Sequence, residues 1–258
     1  MIYIADNNWS PTKSNPFELN GEYGDRWSAF VYDFSISTYS NIYENSCLYT
    51  LSVNPLYDTK QQRLCDFIKY EIGYGRNVII QANGVTLPDE TFQLKDDKKV
   101  RESDPKWMVH STTEKSWESI RQTGALFSPI ELKKRGIPIC EIGLLPMLEP
   151  KDYSDYIMLD ILDGCGELVV NSHQLGYVCT NPHMEYKPGV RLYFDAHKII
   201  QNGLAVRDGL HILKVKNKLS LAEYMVMAVN EQMLKPECWT PTSYTENANN
   251  YFLNRRLK

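Results

Sequence analysis

The stretch WMVHSTTEKSWESIRQTGALFS, residues 107–128, constrains the fold of this chain more than any other. Its short apolar run ends in a histidine, three hydroxyl side chains follow, and Trp117 and Ile120 then recur at helical spacing before Gly124. That order predicts a strand, a helix and a second extended piece at GALF. Ser111 and Glu114 stand three apart, as a capping box requires, and a glycine suits the left-handed residue that closes a helix. The first amides of a helix lack internal partners, so the corner around His110, Ser111 and Thr112 is rich in groups that can bind something polar. Two readings stand side by side. The corner is an ordinary strand-to-helix joint with a satisfied core histidine, or it holds a ribose, with His110 donating to a hydroxyl and Ser111 reaching a polar group nearby.

Composition narrows the classes. With 258 residues, 43% of them hydrophobic, the chain buries a core sufficient for one large domain or two small ones. Its 28 Lys and Arg against 32 Asp and Glu leave a net charge of −4. No overall basic field draws it onto a polyanion, so a nucleic-acid partner must be met by a local patch. Six cysteines (Cys47, Cys65, Cys140, Cys165, Cys179, Cys238) fall without a CxxC pair, which argues against structural zinc and against a disulfide scaffold. His173 and His183 flank Cys179 at a spacing that matches no ligand set, so no metal is expected. GxSxG, P-loop and GxGxxG signatures are absent from the sequence. The opening MIYIADNNWS has an acidic residue where a signal peptide needs a basic one, and no apolar run of about 20 residues occurs. A cytoplasmic protein without a membrane partner is expected.

Along the chain, residues 1–26 read as an irregular arm, SAFVYDFSI and CLYTLSV as strands, and TKQQRLCDFIKYEIGYG as a helix with Leu64, Phe67, Ile68 and Ile72 on one face. NVIIQAN is a further strand, and the charged stretch ending at Pro105 is a candidate boundary; alternatively the first hundred residues add strands to one shared sheet. Residues 128–159 read as a long proline-rich loop with a short helix near Leu132. LGYVCTN, VRLYFD and GLHILKV read as strands, with a short helix between Asp195 and Gly203, a capping box of Ser220 with Glu223 at SLAEYMVMAV, and a polar tail from residue 231. The division expected is 1–105, 106–230 and 231–258.

VHSTTEKSWESIRQTGAL resembles the opening motif of the ADP-ribosyltransferase superfamily, especially its RNA 2′-phosphotransferases and the toxins that modify DNA bases. PGVRLYFDAHKIIQNGLAVRDGLHILKVKNKLSLAEYM is similar in layout to their closing segment. The resemblance implies an α+β fold: ADP-ribosyltransferase-like split β-sheets with a cleft over residues 106–230, behind an N-terminal mixed α/β region. It implies NAD as substrate, with His110, Ser111 and Thr112 at the ribose and Tyr177, on LGYVCTNP beside Cys179, facing the nicotinamide. Related transferases carry a glutamate at the start of the last strand, where its charge steadies the ribose cation; this chain has His211 there, and a neutral imidazole supplies no negative charge. Glu141, Glu149 or Glu167 could enter from the long loop, and Asp152 or Asp155 could join Tyr153 and Tyr156 at an acceptor. Arg121, Arg135, Arg191 or Arg207 could instead grip phosphates. The implied activity is ADP-ribosyl transfer from NAD to a nucleic-acid or protein acceptor. The alternatives are an NAD- or ADP-ribose-binding module without turnover, and a protein-interaction factor that uses Trp27, Tyr32, Tyr39 and Tyr43 as its contact surface.

Overall fold

The computed structural model describes residues 1–4, 14–32, 46–50, 60–82, 98–139, 154–164, 166–209, 211, 213–235 and 238–256. The chain is α+β, with several small sheets. The first sheet is parallel and contains β1 (Ile2–Ile4), β2 (Gly24–Tyr32), β3 (Ser46–Thr50) and β4 (Asn77–Ala82) in the order β1-β4-β2-β3. Parallel neighbours need a crossover, and α1 (Lys60–Gly73) lies on the connection from β3 to β4. Val78, Ile79 and Ile80 are fully buried in succession, the signature of a strand covered on both faces. Phe67, Ile68 and Tyr70 turn inward from α1, whereas Ile72 ends exposed at the helix terminus. Residues 2–4, expected in an irregular arm, instead pair with Val78 to Ile80. Among the described residues this sheet takes no strand from the C-terminal half, so the shared-sheet alternative does not hold.

The C-terminal half opens with β5 (Trp107–Thr112), α2 (Glu114–Thr123), β6 (Ala125–Phe127) and α3 (Pro129–Lys134). It continues with β7 (Tyr156–Leu159), α4 (Gly166–Leu175), β8 (Val190–Asp195), α5 (Ala196–Gln201) and β9 (Ala205–Val206). Last come β10 (Leu213–Lys216), β11 (Lys218–Ser220), α6 (Leu221–Tyr224), β12 (Met225–Asn230) and α7 (Pro241–Arg256). The strands form three antiparallel sheets, β12-β8-β5, β7-β10-β9 and β11-β6.

Strand β8 organises this half because it is buried on both faces. Val190, Leu192 and Phe194 enter one core with Met108, Leu159, Ile199 and Leu213. Tyr193, on the opposite face by the two-residue period of a strand, enters a second core with Val109, Val229, Tyr244 and Phe252. Tyr193 stacks on Phe252 at 4.1 Å and 11°. Helix α7 therefore belongs to the core, and the stretch expected as a polar tail is a correction: Tyr244, Ala248, Asn249 and Phe252 are buried at a spacing of four, one, and three residues.

Three further expectations change. LGYVCTN is the end of α4 and a loop, with no strand. SLAEYMVMAV gives four helical residues and then strand β12, and the Ser220 side chain makes no capping bond. The α2 N-cap is Thr113, whose hydroxyl accepts from the Ser116 amide at 3.1 Å; Ser111 still belongs to β5. Trp27, proposed as a contact surface, is 3% exposed and rests against Tyr3 and Phe17; Tyr39 and Tyr43 lie outside the described residues. Among the described residues no helix is long and apolar enough to cross a membrane.

Candidate functional site

Because successive side chains of a strand point to opposite faces, His110 and Ser111 cannot serve one pocket from within β5. His110 and Thr112, two apart, line a cavity of about 370 Å³ together with residues of α2, β6, α3 and β7. That volume lies within the range of small-molecule sites. The walls are mostly apolar, with Ile120, Leu126, Phe127 and Ile157 among them, and the polar side chains that line it include His110, Thr112, Ser116 and Tyr156. Gly124 closes α2 in the left-handed region at φ 67°, which turns the chain directly into β6, another wall.

The imidazole of His110 is held in place. Strands β5 and β7 meet at an isolated bridge, Val109 to Asp160, and next to it the His110 Nδ1 lies 3.3 Å from the Met158 carbonyl. A carbonyl only accepts, so Nδ1 carries the proton and Nε2 is left as an acceptor. Burial lowers the His110 pKa below its usual value of 6.5; the Met158 carbonyl and the charge of Glu167 oppose that shift without reversing it. The ring is therefore neutral at neutral pH. With Nδ1 so engaged, Nε2 is available as an acceptor, whereas the sequence reading has the imidazole donate.

The tyrosine that shares this cavity is Tyr156, at the start of β7. It is 4% exposed, and its hydroxyl is hydrogen-bonded to that of Tyr74, just beyond the end of α1. Behind it sits Lys214, fully buried, with its Nζ 4.2 Å from the Tyr156 ring centre and 3.9 Å from that of Tyr70. Asp208 pairs with Lys214 at 2.7 Å and with the His211 Nδ1 at 3.0 Å. Burial would raise the Asp208 carboxyl, but the hydrogen bond and charge of His211 and the charge of Lys214 outweigh it and hold the group well below the carboxylate range. The N-terminal half thus helps to set one wall of the cavity. The sequence reading has Tyr156 in a loop at an acceptor; the short continuous apolar run YIML is the signal that marks it as a strand residue.

Ser111 points away from the cavity into a buried ionic network. Its hydroxyl donates to Glu167 Oε1 at 2.6 Å and accepts from Arg191 Nη1 at 3.1 Å. Arg191, 0% exposed, pairs with Glu167 at 3.0 Å, donates to Asn249 at 3.3 Å, and also donates to the Leu162 carbonyl. Tyr186 donates to the other Glu167 oxygen. Burial, followed by the Glu167 charge, pushes the Tyr186 hydroxyl far above the ordinary tyrosine value. The network clamps β5, α4, β8 and α7 together.

Of the residues singled out from sequence, the structure brings His110, Thr112, Tyr156 and His173 to one cavity. Ser111 serves the clamp. Tyr177 is 56% exposed on the loop after α4 and does not line the cavity. His211 precedes β10 by two residues and is engaged with Asp208. Glu167, Arg191 and Arg207 are buried in ion pairs, the last with Asp104 at 2.6 Å. Glu141, Glu149, Asp152 and Tyr153 lie outside the described residues. No protein-family model, curated protein or solved structure matches the chain.

Proposed function

We propose that this chain binds NAD in the His110 cavity and transfers its ADP-ribose to a macromolecular acceptor, as the resemblance of residues 109–126 and 188–225 implies. The observation that supports this reading most is the meeting of His110, Thr112 and Tyr156 on one largely apolar cavity lined by strands of three small sheets. A neutral imidazole with a free acceptor nitrogen suits a ribose hydroxyl, and a tyrosine ring suits the flat face of a nicotinamide, whose ring is cationic in NAD. Tyr156 takes the place first given to Tyr177. A second reading, a module that binds NAD and leaves it intact, is favoured by one feature: among the described residues no carboxylate lines the cavity to steady a ribose cation.

One pair of measurements separates the readings. Calorimetry with NAD should show binding by the wild-type chain and loss of affinity in His110→Ala and Tyr156→Ala. Labelled NAD incubated with cell extract should then modify an acceptor and release nicotinamide, more slowly for both variants. Binding without release selects the second reading, and equal binding by wild type and both variants removes the cavity from either.

A further inference from the structure

The cavity's described lining carries no lysine, arginine, aspartate or glutamate, so no charged side chain inside it pairs with a phosphate. Charge appears at one edge. Phe127 lines the cavity, and the Arg135 guanidinium carbon lies 4.0 Å from the centre of its ring. Lys218 stands directly across from Phe127 in the β6–β11 register, with its Nζ 5.8 Å from the same ring centre. Both cations are exposed, and neither has an ion-pair partner among the described residues. The nearby acid of α3, Glu131, is occupied by Lys134 at 2.7 Å. Two like charges gathered on one ring repel each other, and an anion between or beside them turns that repulsion into attraction.

We infer that the ligand of this cavity bears a phosphate or pyrophosphate, held at the Phe127 edge by Arg135 and Lys218 while its aromatic ring and ribose lie against His110 and Tyr156. Arginine brings a planar fork of donors that matches phosphate oxygens, and lysine brings a mobile point charge. Arg135 caps the end of α3, its backbone N–H bonded to the carbonyls of that helix, so the base of its side chain is fixed while the guanidinium can turn. Of the other arginines weighed for this task, Arg191 and Arg207 are buried in ion pairs and cannot reach a ligand, and Arg121 is exposed on α2 and does not line the cavity. The inference rests on the NAD reading for the identity of the ring and ribose, but the anion edge stands on these two cations alone.

The test is calorimetry on the full chain and on an Arg135→Gln/Lys218→Gln double variant, with NAD, nicotinamide riboside and inorganic pyrophosphate as separate probes. Loss of two exposed charge contacts should weaken NAD roughly tenfold at low salt and less at high salt. Nicotinamide riboside, a cation lacking phosphate, should bind the variant no more weakly than the wild type, which also shows that the variant is folded. If NAD binds the two forms equally, the anion edge is overturned while the NAD reading stands. If wild type binds neither NAD nor the riboside, the NAD reading falls. In that case pyrophosphate binding that disappears in the double variant upholds the anion edge, and its absence from wild type overturns that as well.

Discussion

Replacing Arg191 with methionine should be among the most damaging single changes in the C-terminal half. The side chain is completely buried and its partner Glu167 is nearly so, at a separation of 3.0 Å. At an effective dielectric of about 20, two unit charges at that distance attract by about 5 to 6 kcal/mol. Desolvation offsets much of this while the pair is intact. Removing the arginine alone leaves the Glu167 carboxylate buried with only the Ser111 and Tyr186 hydroxyls against it, and stranded charges of this kind cost about 3–5 kcal/mol. Glu167→Gln should cost a similar amount by stranding the guanidinium. The double variant Arg191→Met/Glu167→Gln strands neither charge, so its cost should fall well short of the sum of the singles. Urea unfolding at neutral pH, followed by circular dichroism and tryptophan fluorescence, measures all three. A cost below about 1 kcal/mol for Arg191→Met, or a double variant whose cost equals the sum, would refute the clamp as an energetic unit.

Other outcomes follow from the same geometry. His110 titrates near 6.5 in the unfolded chain and lower in the folded one. Between those values the unfolded state binds more protons, so its contribution to stability is full above about 6.5 and is lost as pH falls toward the folded value. NAD affinity should likewise be flat above about pH 6.5 and weaken in acid; an NMR titration that places His110 at or above 6.5 counts against the buried neutral ring. In Gly189→Ala the added carbon would sit 1.9 Å from the Thr112 carbonyl oxygen, so the end of the β5–β8 ladder must shift. A cost of about 1–3 kcal/mol and weaker ligand binding are expected, read from thermal melts and calorimetry; an unchanged melting temperature would show that the two strands are not so closely apposed. Phe252→Ala, which empties the space beneath Tyr193, should cost about 3–5 kcal/mol in chemical denaturation, whereas a dispensable tail would give no change.

The local elements were legible because their signals are local. The strand, helix, Gly124 and second strand from Trp107 to Phe127 follow from periodicity and a left-handed cap, and VRLYFD and the helix capped by Asp195 were found in the same way. Errors arose where one residue of register or a distant partner decides the outcome. Placing the end of β5 at His110 rather than Thr112 put Ser111 in the pocket, and a slip of one residue along a strand exchanges its two faces. GYVC is aromatic and β-branched like a strand, but it pairs with no strand among the described residues. The 16-residue α7 looked like a tail because asparagines and threonine separate its few apolar residues, and only the partners Tyr193 and Trp107 reveal its buried face.

What the amino-acid order determined alone is the hydrogen-bonding habit of each segment, since helix and strand preferences act over a few neighbouring residues. Which side of β5 faces the cavity, which tyrosine shares it with His110, and which charges are neutralised in the interior were decided by tertiary structure. Those outcomes depend on groups 48 to 82 positions apart, as in the His110–Met158 and Tyr74–Tyr156 contacts, and no local preference encodes that pairing.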